Sequence, residues 1–460
     1  MSTRVEGPKS PVVESRDELV AHLEAGSKTP TRWRIGTEHE KFVFDRRNYT
    51  PVPYAGERGI GALLGGIAER FCGDPVIEDG NIIAISRADC TKGGVISLEP
   101  GGQLELSGAP LETVHQTDEE LRQHLIEANA VGHELGLGFL GLGFSPKWTL
   151  AETPVMPKQR YRIMARYMPT VGGRGLDMMF RTSTVQVNLD FADESDMVRK
   201  LRVGLALQPV ATALFANSPF TEGKPNGFES YRADIWRDTD PDRTGLLPFA
   251  FQPGMSFERY VDYALDVPMY FVYRDHRYID VAGASFRDFL AGRLAMLPGE
   301  KPTLQDWADH LTTLFPDVRL KQYLEMRGAD AGPFAQLCAL PALWTGLLYD
   351  KAALGEAAAL IADWTLSERQ ALRDTVPRLA LATPFRGGTL RQVAADVVRI
   401  AEAGLKARAR TDADGNDERK YLAPLVQAIA TGLCPAEILL AEYKCDWRGD
   451  IDRLFDTQAL

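Results

Sequence analysis

The chain lacks the raw material of several common kinds of protein. Its five cysteines (Cys72, Cys90, Cys338, Cys434, Cys445) are scattered, odd in number and form no CxxC pair. That pattern excludes a disulfide framework and a structural zinc site, and it fits a reducing compartment. Only seven histidines occur, none with metal-ligand spacing, and no Ser-His-Asp or Cys-His arrangement is legible. No Walker pattern GxxxxGK[ST] is present to cradle phosphates. Blocks of Lys and Arg are missing too. The formal net charge is −11 and the pI is near 5.3, which argues against nucleic acid and anionic membranes as partners. The most apolar stretch, LGLGFLGLGF (135–144), is too short to span a bilayer, and its glycines predict a buried strand with its turns. The opening MSTRVEGPKSPVVESRDELV has no apolar signal-peptide core, so a cytoplasmic protein is expected. No repeat, low-complexity tract or linker interrupts residues 1–460, and a single domain is expected, strand-rich over about 30–350 and helical over about 350–460.

In bulk the composition is ordinary: 45% hydrophobic and 25% charged residues, the balance of a globular protein with a sizeable core. Residues 15–26, SRDELVAHLEAG, carry the marks of a capped helix, with Ser15 as N-cap, Glu18 three residues on and Gly26 at the end. Apolar spacing predicts helices over 117–135 and 196–216, and the Ala/Leu-rich chain beyond 340 reads as mostly helical. The polar break RTDADGNDER (410–419) is not a calcium loop: counted from Asp412, its glycine falls at position four, not six. Strands interleaved with helices without a regular βαβ beat predict an α+β fold around an antiparallel sheet.

The detail lies in the strands. In RIGTEHEKFVF (34–44) alternation puts Glu38 and Glu40 on one face and Thr37 and His39 on the other, with His39 toward the core. Two carboxylates one pleat repeat apart, about 7 Å between Cα atoms, repel each other unless water or a cation intervenes. VISLEPGGQLELSG (95–108) is decoded by parity. A three-residue Pro100-Gly101-Gly102 loop pairs Leu98 with Leu104 and Ile96 with Leu106, and sets Glu99 against Gln103 and Ser97 against Glu105. TVQVNLDF (184–191) alternates Thr184, Gln186, Asn188 and Asp190 with Val185, Val187, Leu189 and Phe191. YLEMRGAD (323–330) puts Glu325 and Arg327 on one face if it is a strand. A half-exposed antiparallel sheet also has one greasy and one polar face. Here, however, the polar positions are mainly Glu, Gln and Asn, the oxygen donors that hard cations prefer. Mg²⁺ held by a few carboxylates usually also binds phosphate.

Two basic stretches complement the acids. MPKQRYRIMARYMP (156–169) gathers Lys158, Arg160, Arg162 and Arg166, and NGFESYRADIW (226–236) sets Arg232 among aromatics. Arginine suits bidentate binding of carboxylate and phosphate, although each of these side chains also reads as an ordinary surface charge.

Taken together, GTEHEKF, SLEPGGQLELSGAPLETVHQT, TSTVQVNLDF, ALFANSPFTEGKPNGF, DVPMYF and YLEMRGAD resemble plant-type glutamate–cysteine ligases, the form shared by plants and many proteobacteria. The resemblance runs from about residue 30 to 350 and, less distinctively, through the helical tail. It implies a curved antiparallel sheet of glutamine-synthetase-like type, a bowl for ATP, Mg²⁺ and substrate with helices outside. It implies an ATP-dependent ligation of L-glutamate to L-cysteine through γ-glutamyl phosphate, giving γ-glutamylcysteine, the first step of glutathione synthesis. Glu38, Glu40, Glu99, Glu105, Gln186 and Glu325 fall where the family's metal ligands are expected; at Gln186 a more distant bacterial branch carries His. Arg160 and Arg232 match glutamate-binding positions, Tyr270 matches a position lining the cysteine pocket, and Arg327 matches an arginine near the transferred phosphoryl group. The partners implied are small molecules only, with a monomer or homodimer as the working unit. Plant members carry two regulatory disulfides. Aligned by flanking motifs, three of those four cysteines are replaced here by Asp118, Val281 and Met296, and only Cys338 remains. The resemblance therefore implies that the intramolecular redox switch is missing.

Three rivals remain at this stage: a glutamate ligase with another amine acceptor, a non-catalytic protein that binds divalent cations, and a hydrolase built on paired glutamates. The cation-binding protein leaves Arg160, Arg232 and Arg327 without a purpose. The hydrolase needs no nucleotide.

Overall fold

The alternation of residues 35–45 becomes strand β1 (Ile35–Asp45) in the computed structural model, which describes residues 10–87 and 93–460. Around it forms a nine-stranded sheet: β2 (Asp74–Glu78), β3 (Asn81–Ser86), β4 (Val95–Leu98), β5 (Leu104–Ser107), β6 (Leu137–Leu140), β7 (Thr184–Leu189), β8 (Val318–Leu320) and β9 (Leu324–Asp330). The strand order is β8-β9-β7-β1-β5-β4-β3-β2, with β6 on the far half of β1, and every pairing in it is antiparallel. The sheet is not closed, and helices surround it, as the α+β reading requires.

The hydrophobic pattern sets the registers. Leu98 pairs with Leu104, Ile96 with Leu106 and Ser97 with Glu105, and the Glu99 N–H donates to the Gln103 carbonyl at 2.9 Å, as parity requires. Gly102, with φ +87°, supplies the left-handed residue that this turn needs. The 135–144 stretch gives β6 and its flanking turns.

The helices used below are α1 (Arg16–Glu24), α2 (Val114–Leu135), α3 (Gln159–Tyr167), α4 (Glu194–Leu214), α5 (Tyr231–Ile235) and α6 (Leu366–Leu379). Ser15 does precede α1, but its hydroxyl caps no backbone N–H; it donates instead to Glu18, which also accepts from the Glu14 N–H. α2 starts earlier than apolar spacing predicts, because Thr113 and Gln116 form a reciprocal capping box ahead of the amphipathic stretch. One apolar cluster reaches from Val13 to Ala436, and a smaller one packs the C-terminal Leu454 and Phe455 against Phe42, Phe44 and Trp148. Among the described residues no single helix is long and apolar enough to cross a membrane.

The cysteines correct one expectation. Cys338, Cys434 and Cys445 are free thiols, but Cys72, just ahead of the edge strand β2, is disulfide-bonded. Scattered spacing excludes a disulfide framework but says nothing against one bond made in space. Cys90 lies outside the described residues.

Candidate active site

Strand pairing brings the acidic positions of separate sequence motifs onto one face. Glu38 of β1 sits between Gln186 of β7 and Ser107 of β5, and Glu40 stands opposite Glu105. Each carboxylate is braced. The Asn188 amide donates to Glu38 at 2.9 Å, and the Thr184 N–H donates to Glu40 at 3.1 Å. The Ser97 and Ser107 hydroxyls donate to the two oxygens of Glu105 at 2.7 and 2.8 Å. Glu99 follows β4 at the start of the tight turn, where the Gly102 N–H donates to its carbonyl at 3.0 Å.

Crowding shows in the proton affinities. Burial, and then the charges of Glu99 and Glu105, push the Glu40 carboxyl well above its ordinary range, against the opposing pull of Arg232 and Arg327. Burial acts on Glu105 too, yet its carboxyl lies below the ordinary value, with the two serine hydroxyls and the charge of Lys158 among the groups that pull it down. Lys158 is buried beneath the turn, donating to the Leu98 carbonyl at 2.7 Å; burial lowers its ammonium to about 8 despite Glu99 and Glu105. On the reverse face of β1 His39 is buried in the core, and Lys41 meets His124 at 2.8 Å with burial lowering it to about 7.

Arginines close the other side of a cavity of about 110 Å³. Arg160 from α3, Arg232 from α5, and Arg319 and Arg327 from the β8–β9 hairpin line it together with Glu38, Glu40, Glu99, Glu105 and Gln186. Arg162 and Arg166 of the same basic stretch point away: Arg162 is exposed, and Arg166 pairs with Asp280 at the surface. Arg327 stands in a bulge of β9 between Met326 and Ala329. From there it donates to the Gln186 side-chain oxygen at 2.8 Å and pairs with Glu325. The bulge is gripped from behind by α4, where Gln208 accepts the Gly328 N–H and Thr212 donates to the Gly328 carbonyl, both at 2.9 Å. A side chain at Gly328 would collide with Gln208.

Two of the ten expected site residues stand outside this lining. Glu325 is fully buried and ion-paired with Arg319 at 2.6 Å, Lys321 at 2.8 Å and Arg327, which together overcome burial and hold its carboxyl well below the ordinary range. Tyr270 lies deeper, its ring beneath the Arg243 guanidinium at 3.7 Å and its hydroxyl 3.5 Å from the Met168 sulfur.

Sequence reasoning also missed two residues. Arg319 pairs with Glu325 across a hairpin whose parity is readable in VRLKQYLEM, by the logic applied to 95–108. Asp330 had no such signal. Fully buried at the end of β9, it accepts from the hydroxyls of Ser218 (2.7 Å) and Ser230 (2.9 Å) and from the Asn217 N–H (2.9 Å). Ser218 in turn accepts the Arg232 N–H at 3.2 Å, so Asp330 fixes the start of α5 and the arginine on it.

As a set, the donors on the open face have the hard-oxygen chemistry of a Mg²⁺ site, and the raised Glu40 carboxyl is what carboxylates gathered without a cation produce. As the side chains stand, no group of three or more His, Cys, Asp or Glu among the described residues is placed to hold a metal ion. Beside the small cavity, and sharing Glu38, Arg160 and Thr312 with it, opens a larger one of about 710 Å³ that Gly36, Gly94, Asn188 and Tyr323 also line.

Cys338 lies 3.5 Å from Asp118, so the two aligned positions are side by side, with a carboxylate where a second sulfur would stand. Burial, then Asp118, pushes this thiol up and keeps it protonated. Iodoacetamide on the native protein is expected to label the exposed Cys445 and spare Cys338, read by peptide mass spectrometry. Reversible inactivation by peroxide traced to a pairing of Cys338 would contradict this.

Residues 34–457 match the family model described as glutamate-cysteine ligase family 2. The chain is 56% identical over 442 residues to the chloroplastic glutamate–cysteine ligase of Medicago truncatula, covering 96% of this chain and 84% of that one. Identity to the chloroplastic enzyme of Arabidopsis thaliana is also 56% over 442 residues, covering 96% and 82%. Among solved structures, the Francisella tularensis glutamate–cysteine ligase in complex with AMP matches with a TM-score of 0.53 at 13% identity, over 93% of this chain and 88% of that one, a likeness of fold. These relatives overturn the cytoplasmic expectation, for they are chloroplastic enzymes.

Proposed function

The chain belongs to glutamate-cysteine ligase family 2, and from that premise we propose the chemistry of its cavity: ATP-dependent joining of the L-glutamate γ-carboxylate to the L-cysteine amine. The observation that carries this reading is the two-sided lining, carboxylates on β1, on β5 and in the turn after β4 facing Arg160, Arg232 and Arg327. A nucleotide in the larger cavity would direct its phosphates toward Glu38 and Arg160, which both cavities share. One carboxylate oxygen of glutamate attacks the γ-phosphorus, ADP leaves, and γ-glutamyl phosphate forms. The cysteine amine then attacks the acyl carbon, the amide forms and phosphate departs. The protein supplies no nucleophile; it supplies orientation and charge. Arg160 and Arg232 clamp the glutamate, Arg327 faces the charge developing on the transferred group, and Lys158 with the two serines holds the acidic floor in place. Tyr270 backs the acceptor side through Met168. Glu38, Glu40, Glu99, Glu105 and Gln186 would hold Mg²⁺, which when bound neutralises the nucleotide phosphates. Glu325 serves chiefly to fix Arg319 and Arg327.

The test is ADP release with Mg²⁺ and ATP, with glutamate and cysteine omitted in turn. Turnover that needs both, with γ-glutamylcysteine identified by mass, supports the reading. ADP release that ignores cysteine but follows another amine sinks it.

Asp330→Asn probes the clamp. Asparagine keeps the shape but turns an NH₂ toward a donor and removes the negative charge beside Arg232. KM for glutamate is expected to rise about tenfold, the scale of a charge-assisted hydrogen bond, while kcat changes little. An unchanged KM in a folded variant would show that Asp330 does not position Arg232.

A further inference from the structure

Away from the bowl, and sharing no lining residue with it, a cavity of about 810 Å³ opens between the N-terminal half of α4, residues 251–255 and the start of α6. Three arginines line it, Arg199, Arg202 and Arg369, against one carboxylate, Glu194. That carboxylate is already engaged, accepting the Phe257 N–H at 2.9 Å. Arg369 is only 7% exposed, yet its Nε has no hydrogen-bond acceptor among the described residues. Its guanidinium carbon lies over the Phe251 ring, 3.7 Å from the centroid. The neighbouring acid, Glu368, is committed to Arg386 and to capping at Thr365. Arg202 donates to two neutral carbonyls, Ala250 and Gln252, each at 2.7 Å; burial lowers the proton affinity of Arg369, which the charge of Glu368 supports and that of Arg202 opposes. Arg199, exposed at the rim, has no ion-pair partner among the described residues.

A buried guanidinium nitrogen left without an acceptor, in a cavity lined by two further arginines, is an arrangement that folding disfavours and a bound anion would repair. The remaining wall is apolar, with Val198, Met255, Ile361 and Trp364. The size is that of ligand pockets, which combine an apolar wall with a few convergent polar groups. We propose that this cavity is a second binding site, for a small organic anion: a phosphate, sulfonate or carboxylate head received by Arg199, Arg202 and Arg369, with an apolar body against Met255, Ile361 and Trp364.

The probe is 8-anilinonaphthalene-1-sulfonate, titrated into the full chain and read by its fluorescence and by energy transfer from tryptophan. One molecule per chain is expected. Arg199→Ala, a rim substitution that leaves the fold and basal ligation unchanged, and Arg369→Leu should each weaken binding by about tenfold or more. Arg160→Ala and Arg232→Ala, in the bowl, should leave it as in the wild type. Inorganic phosphate and benzoate then compete with the probe, and the more effective of the two identifies the anionic head. Equal binding by Arg199→Ala and the wild type, loss of binding in the bowl variants, several probes per chain, or failure of both competitors would each overturn the proposal.

Discussion

Glu40→Gln is expected to cripple ligation and, at the same time, to make the metal-free protein more heat-stable. The carboxylate sits opposite Glu105 and near Glu99, and its proton affinity is pushed well above the ordinary range. The sign follows from linkage. A carboxyl whose folded-state pKa is raised adds stability while it is protonated, below the ordinary carboxylate range. That stability is lost as pH rises through the raised value. Glutamine mimics the protonated form at every pH and can still accept the Thr184 N–H, so the loss disappears. The variant should therefore melt a few degrees higher at neutral pH without Mg²⁺, and the gap should narrow on acidification. Removing one oxygen donor of the proposed Mg²⁺ site should lower kcat by about a thousandfold, the scale of several kcal/mol of lost charge stabilisation. Mg²⁺ should raise the melting point of the wild type and much less that of the variant. A variant that is both active and less stable would refute the assignment, because neither crowding nor ligation would then centre on Glu40.

How far this site was legible in sequence depends on the kind of contact. Period-two alternation gives each strand its greasy and its polar face, so Glu38 and Glu40, Glu99 and Glu105, and Gln186 could be assigned to polar faces strand by strand, whereas the pairings that bring them to one side of one sheet come from the structure. Nothing comparable fixes contacts between elements distant in the chain. Asp330 reaches Ser218 and Ser230 across the fold, and Tyr270 sits under Arg243 through packing that leaves no periodic trace. In β9 Glu325 and Arg327 meet in an ion pair, as alternation along YLEMRGAD expects, but the register shift between Met326 and Ala329 left no mark in the sequence. The Cys72 bond belongs with these, a contact in space without a spacing rule.

Arg327 should prove the most demanding position in the site, and replacing it with lysine is the sharper experiment than deletion. Its guanidinium bridges Gln186 and Glu325, while its backbone carbonyl accepts Arg232 at 2.9 Å, so it ties the acidic floor to the clamp. The substitution should not unfold the protein: Glu325 keeps Arg319 and Lys321, and Gly328 keeps its hold on α4. Lysine preserves the charge but not the planar fork that can hold a protein oxygen and a phosphoryl oxygen together. For a guanidinium facing phosphoryl transfer, losses of about 10³–10⁵ in rate accompany complete removal. Arg327→Met should fall in that range and Arg327→Lys in its lower part, with KM for glutamate nearly unchanged, because the interaction forms in the transition state. The two variants should also differ in pH dependence. Burial and the facing charge of Arg319 already lower the proton affinity of Arg327. An arginine stays charged under that pressure, whereas a lysine starts about two units lower. Activity of Arg327→Lys should therefore decline as pH rises through the alkaline range, while Arg327→Met shows no such decline relative to wild type. If instead KM for glutamate rises and kcat holds, Arg327 belongs to the ground-state clamp with Arg160 and Arg232, and the charge developing on the phosphoryl group must be met by Arg319, the other arginine of this hairpin that lines the cavity.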